Sequence, residues 1–278
     1  MFIIVIIITI TNYLSRNPNN IPLFLYEKFF YVLFGSSGLW VMQVLNMLYV
    51  NLGAVLLYKL SQKHFNQKTA DLVYLFYVSL ICYSPYFYSM YTDIPPLPLI
   101  ALQLWWSLDL LKENQAGISW KKMFGLGILS GVTMLIRPTT IIVMIAFWAV
   151  LFFRGNWKVF GKIATVTVMT TGFVFAGLNT AVNHQRVVPI LKEEGLAKGP
   201  LLFINLGLTD MGHNQEDMKE GLLAYIDEDK RSDYNNGLFK KENVIKEIKR
   251  RLKEYGPFGL IGHIYYKQSL TVAEGTLG

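Results

Sequence analysis

Residues 123–153 read MFGLGILSGVTMLIRPTTIIVMIAFWAVLFF, a long apolar stretch whose one charge is Arg137. As a single helix it would run about 46 Å at 1.5 Å per residue, against a hydrocarbon core of about 30 Å. It would also carry its two flanking basic loops to opposite sides of a bilayer. Arg137-Pro138 resolves both problems, because a residue before proline avoids helical geometry. The stretch therefore predicts a hairpin of two short helices, about 123–136 and 138–153, with the Arg-Pro turn near one membrane face. Gly127 and Gly131, four residues apart, give the first helix a face for close packing.

Composition agrees with a membrane setting. Of 278 residues 53% are hydrophobic and only 16% charged, so the length converts into spans rather than into globular domains. The net charge of +7 could suggest nucleic acid, but its distribution excludes that partner. Residues 183–278 carry 14 basic and 14 acidic side chains, whereas residues 1–182 carry 12 basic and 5 acidic. Nine of those 12 fall in three short loops: Lys59, Lys63 and Lys68; Lys112, Lys121 and Lys122; Arg154, Lys158 and Lys162. Short basic loops between apolar spans mark the cytoplasmic side. The lone Cys82 lies in an apolar run and offers no disulfide within the chain.

Outward from the hairpin, residues 38–59, 71–91, 96–111 and 160–182 read as further spans. Residues 1–11 are too short to cross a bilayer. They lack both the basic flank and the cleavage site of a signal peptide. Residues 22–35, with Glu27 and Lys28 in their middle, suit either a helix lying in the interface or one packed in the bundle with both charges in water. Asp109 and Glu113 are expected to be solvated charges at a helix end. Beyond Asn183 charges reach globular density. Residues 241–255 form an amphipathic helix with Val244, Ile245, Ile248 and Leu252 on one face, stopped by Gly256-Pro257.

The expected fold is thus all-α: a polytopic transmembrane bundle over 1–182, with about six to seven membrane helices. A small extracytoplasmic region follows over 183–278 and continues beyond the last residue. With the basic loops inside, Asn17–Asn20, Asp93, Arg137 and the C-terminal region share the outer face. Asp93, in Met90-Tyr91-Thr92-Asp93-Ile94-Pro95-Pro96, is the only acid between Asp71 and Asp109. A carboxylate at a membrane boundary is a functional candidate by default. The plain alternative is that Asp93 caps the helix that follows it. An acid, a cation and amides at one face suit a lipid-linked phosphate: Arg137 to hold it, Asp93 to orient a hydroxyl, bind a metal or act as a base. The plain alternative for Arg137 is a snorkelling cap on the hairpin.

Other chemistries find no footing. His64, His184, His213 and His263 are scattered without zinc-site spacing, and there is no phosphate-binding loop and no Gly-x-Ser-x-Gly. Gly125-Leu126-Gly127 follows a loop rather than a strand, so it is no dinucleotide fingerprint. His213, Glu216 and Asp217 in MGHNQED are of types that bind a metal, but the plainer reading is a solvated loop.

The succession PNNIPLFLYEKFFYVLFG, YSPYFYSMYTDIPPLPLIAL and GLGILSGVTMLIRPTTIIVM resembles multi-spanning GT-C glycosyltransferases. More closely, it resembles GT-C-like integral membrane proteins of Gram-positive bacteria. LLFINLGL, KRRLKEYGPFG and the closing EGTLG match that group loosely. The resemblance implies transfer of a sugar from a polyprenyl-phosphate donor to a cell-envelope acceptor at the extracytoplasmic face. Asp93 corresponds to the family's second acidic position, and Arg137 to a Lys/Arg-Pro position on the hairpin. Tyr91, Asn19 and Asn20 join them as substrate-binding candidates. The family's first catalytic acid belongs ahead of Asn17, where residues 1–16 hold no Asp or Glu. The expectation is a piece of a longer protein that lacks the N-terminal span and its acid. No cofactor is called for with certainty; a divalent cation is the candidate. A transporter or flippase for lipid-linked glycans, or a non-catalytic assembly subunit, are the competing readings. The partners expected are the lipid-linked sugar and membrane lipid.

Overall fold

The computed structural model describes residues 10–82, 92–113, 119–192, 197, 200–208 and 241–274. Every regular element among them is helical. The helices are α1 (10–16), α2 (Ile21–Phe34), α3 (Gly38–His64), α4 (Gln67–Cys82), α5 (Leu97–Lys112), α6 (Trp120–Ile136), α7 (Ile141–Phe153), α8 (Trp157–Asn183), α9 (Pro200–Gly207) and α10 (Lys241–Glu274). The chain divides into two compact units, Asn19–Val187 and a second that joins Met1–Pro18 to Val188–Gly278.

In the first unit successive helices from α3 to α8 alternate in direction. Tyr77 donates to the Val50 carbonyl (3.1 Å) and Tyr58 meets Tyr74 edge-on, which sets α4 antiparallel to α3. Gln103 on α5 donates to Thr133 on α6 (2.7 Å), while Asp109 near the end of α5 meets Lys122 near the start of α6 (3.1 Å), so this pair also runs antiparallel. Trp148 donates to Thr167 (3.0 Å) and Phe152 packs on Phe160, which turns α8 back along α7. The predicted break is present. α6 ends at Ile136, Arg137 is extended (φ −145°, ψ 106°), Pro138–Thr140 form a 3₁₀ turn, and α7 starts at Ile141.

The glycine face of α6 has a specific partner. A Cβ at Gly127 would stand 2.6 Å from Thr170 Cβ, and one at Gly131 would stand 2.8 Å from Val174 Cβ. α6 and α8 therefore lie side by side, parallel, with their backbones close. Thr171 donates to the Gly127 carbonyl across this seam (3.2 Å). The hairpin halves consequently do not lean mainly on each other: α6 lies along α8, and α7 also packs on α5 and α8. A core of Leu110, Met123, Leu126, Met144, Phe147, Leu151 and Ile163 joins all four helices. Apolar contact of this kind and density holds such a bundle whether its outside is water or lipid.

α2 folds back on α3 through Gly35 (φ 57°), and Gly38 has no room for a Cβ against the Phe30 carbonyl (2.9 Å). Packing on α3 fits either reading of this segment, and Phe29, Tyr31, Val32 and Leu33 in its second half are exposed. Lys28 is exposed and Glu27 half-buried, so only the lysine lies fully in the surroundings. Two helical stretches are long and apolar enough to cross a membrane, Pro18–His64 and Trp157–Asn183; Pro138–Phe153 is apolar but shorter.

In the second unit the Leu191 N–H donates to Ser15 Oγ (2.9 Å), and Leu208, Val244 and Ile248 form a small core with Leu201 and Leu260. The buried stripe of α10 is rotated from the expected one. Val244, Ile248 and Arg251 are buried, but Leu252 is exposed and Ile245 only half-buried. Arg251 can occupy the stripe because Glu247 takes its Nε hydrogen bond at 2.8 Å. Gly256 breaks the helix as predicted (φ 59°), yet helical geometry resumes after it. Proline is well tolerated in a first helical turn, so Gly-Pro ends one helix and starts the next.

Candidate functional site

The alternation of helix directions carries the three basic loops to one end of the first unit and the Asp93 turn and Arg137-Pro138 to the other. α5 alone, at 16 residues, separates the two ends by about 24 Å.

At the second of these ends Arg137 Nη1 forms an ion pair with Asp93 Oδ1. The two residues are 44 positions apart in sequence, and each belongs to a turn that is locally fixed. Ile94 and Pro96 are buried, and the Leu97 N–H closes the turn on the Ile94 carbonyl (3.1 Å). This anchors the backbone on which Asp93 sits. Asp93 does not cap α5: the N-cap position falls on Pro96, without a side-chain cap. On the other side the Arg137 N–H completes α6 by donating to Thr133 (2.8 Å), and its carbonyl accepts from Thr140 N and Oγ1 (3.1 and 2.9 Å). Arg137 Nε donates to Thr139 Oγ1 at 3.1 Å. The guanidinium is thus aimed by Thr139 and Asp93 together. With side chains 37% and 38% exposed, the pair is open to its surroundings. Half-exposed pairs hold little net energy, about 0–1 kcal/mol, so an incoming anion can displace the carboxylate.

Asn19 and Asn20 lie in the 3₁₀ turn that leads into α2, with Asn19 exposed and donating to Asn20 Oδ1 at 3.3 Å. α2 packs on α3 and touches α6. Tyr91 lies outside the described residues, as do His213, Glu216 and Asp217. A divalent cation finds no ready donor set at Asp93. Among the described residues no three of His, Cys, Asp and Glu come together, and Arg137 occupies one carboxylate oxygen.

The opposite end overturns one expectation. Asp109 is not a solvated helix-end charge: its side chain is 9% exposed and meets Lys63 (2.7 Å), His64 Nε2 (2.9 Å) and Lys122 (3.1 Å). Lys122 also pairs with Glu113 (2.6 Å), which accepts the Ser119 N–H (2.8 Å), and Lys112 donates to the His64 carbonyl (2.9 Å). Arg154 donates to the Leu111 carbonyl. The physical reason is convergence: three basic loops meeting over one helix end need an internal anion, and Asp109 supplies it. Burial pushes the Glu113 carboxyl up, but the Lys122 ammonium and the Ser119 N–H outweigh it, leaving Glu113 below the usual carboxylate range.

Residue-by-residue reading also missed the contact between Gln103 and Thr133. Both are buried in the α5–α6 seam, and each looked like an isolated polar residue in an apolar span. Their signal was the antiparallel register, which no local pattern states. Thr139 was missed as well, although its place directly after Arg-Pro put it within reach.

Apolar helices of crossing length, with the basic loops at one end, fit an integral membrane protein. The family comparison agrees. Residues 7–278 match the family described as conserved hypothetical integral membrane protein, and the chain belongs to that family. No curated protein and no solved structure matches the chain.

Proposed function

We propose that the protein is a membrane glycosyltransferase of GT-C type, transferring a sugar from a polyprenyl-phosphate donor to a cell-envelope acceptor at the extracytoplasmic face. The observation that carries this reading is the Asp93–Arg137 pair, half-exposed at the end of the bundle away from the basic loops. By the positive-inside rule the basic end is cytoplasmic, which leaves the pair at the outer face. A lipid phosphate arriving there would take over the Arg137 guanidinium by charge-assisted hydrogen bonds. Asp93 would then be released to the acceptor.

The chemistry balances on these two groups. The acceptor hydroxyl oxygen bonds to the anomeric carbon, and the bond from that carbon to the phosphate oxygen breaks. Polyprenyl phosphate leaves with the electron pair against Arg137, and Asp93 takes the hydroxyl proton. The resemblance to GT-C transferases puts Asp93 at that family's second acidic position and Arg137 at its Lys/Arg-Pro position.

The test is consumption of polyprenyl-phosphate-linked sugars by the protein in liposomes, across a panel of donor sugars. Sugar release should be lost in Asp93→Asn and reduced in Arg137→Lys, which keeps the charge but not the planar two-point grip. Full consumption by a well-folded Asp93→Asn variant would remove Asp93 from the mechanism. No consumption by the wild type with any donor would sink the reading.

A further inference from the structure

The second half of α10 has two contrasting sides. From Gly256 onward the helix turns one side to α9: Leu260 joins the small core, His263 Nε2 lies 3.0 Å from the Gly207 carbonyl, and Lys267 donates to the same carbonyl at 2.8 Å. Tyr255, just before the break, donates to the Leu208 carbonyl at 3.1 Å. These contacts fix which way the helix faces.

The opposite side is apolar and bare. Phe258, Ile261 and Tyr265, spaced at i, i+3 and i+7, are 88%, 66% and 78% exposed. Ile264 and Tyr266 flank them and are also exposed. Gly262 falls in the same stripe, and nothing lies within 4 Å of where its Cβ would stand. A soluble surface seldom keeps such a row of large apolar groups unless something covers it.

We propose that this stripe is a membrane-docking surface: the helix after Gly256 lies in the plane of the bilayer, with Phe258, Ile261 and Tyr265 immersed at the headgroup–acyl boundary. Three observations select lipid as the occupant. The chain belongs to an integral membrane family, so its own bilayer is tethered to this helix at high effective concentration. Tyrosine, phenylalanine and isoleucine beside a charged helix make the composition of an interfacial helix, with Tyr265 and Tyr266 suited to the headgroup level. From Pro257 to Ser269 the docking half carries no acidic side chain, so nothing on it repels anionic headgroups. The Gly256-Pro257 break lets the apolar half adopt its own angle to the surface while the half before it stays packed through Val244 and Ile248. The proposal is independent of the glycosyl-transfer reading and of which side of the membrane the helix occupies.

The experiment uses the full chain in liposomes containing anionic lipid, with Cys82→Ser removing the native thiol. An environment-sensitive fluorophore is placed at Ile261→Cys and, separately, at Lys249→Cys on the exposed side of the preceding half. The label at 261 should emit to the blue, be quenched by nitroxide-bearing lipids and be protected from iodide; the label at 249 should be open to iodide. Adding Phe258→Glu should lift the 261 label out, restoring iodide quenching while the melting temperature stays unchanged. Iodide access at 261 in the parent protein overturns the proposal. So does protection from both quenchers, which would mean that protein, a second copy or another partner, covers the stripe.

Discussion

Asp93 and Asp109 stand at the two ends of one helix, and each faces cations from elsewhere in the chain. The difference between them lies in number and exposure. Asp109 is nearly sealed under Lys63, His64 and Lys122, which come from α3 and α6. Among the described residues Asp93 has one charged partner, and both members of that pair are more than a third exposed. A buried carboxylate with several partners cannot be opened without leaving charges unpaired, so it behaves as scaffold. A half-exposed pair is cheap to open and can trade its partner for a ligand. The same residue type thus does structural work at one end and stays available at the other.

The sharpest way to break this comparison is to remove each acid in turn. Asp109→Asn should cost about 3 kcal/mol, the low end for removing one member of a buried pair, because Lys63 and Lys122 keep some contact with their surroundings. Thermal unfolding in detergent reads the loss. If Asp109→Asn melts with the wild type, the basic end is not a scaffold and the contrast fails.

Between the two ends runs the glycine seam of α6. Gly131→Leu should cost about 1–3 kcal/mol through overpacking, since Val174 and the Phe175 backbone crowd the position. Gly172→Ala, on a helix face with nothing within 4 Å, should be neutral or gain up to about 1 kcal/mol from helix propensity. Similar melting temperatures for the two variants would mean that α6 and α8 are not in close contact.

Asp93→Asn and Arg137→Gln form the other arm of the comparison. Each should change stability by no more than about 1 kcal/mol while removing the proposed activity. A large stability loss in either would make the pair a second scaffold, and the functional reading would lose its main support.

How much of this was legible beforehand follows the range of the interactions. The Arg137-Pro138 break, the Gly127/Gly131 face and the Gly256 break are local, and each was set by backbone sterics that the sequence states outright. The meeting of Asp93 with Arg137 was legible only through topology, because basic loops on one side force both turns to the other. The burial of Asp109 was not legible. Its partners come from the end of α3 and the start of α6, and near Lys112 a lone Asp looks like any helix-end charge. The turn of the α10 stripe toward Arg251 was hidden for a similar reason. A helical wheel ranks arginine as polar and cannot see that Glu247 satisfies it.

The smallest effect tests the basic end by pH. Glu113 ionises below its ordinary value of 4.5 in the folded protein because Lys122 and the Ser119 N–H hold its carboxylate. A folded value below the unfolded one means that the folded state resists protonation. The stabilising contribution is therefore fully present above about pH 4.5, and it is lost as pH falls through the lower folded value. Wild type should lose part of its melting temperature over that interval, and Glu113→Gln, which carries no titrating group there, should lose less. Equal acid losses in the two proteins would mean that Lys122 and the Ser119 N–H do not hold Glu113. The basic end would then rest on Asp109 alone.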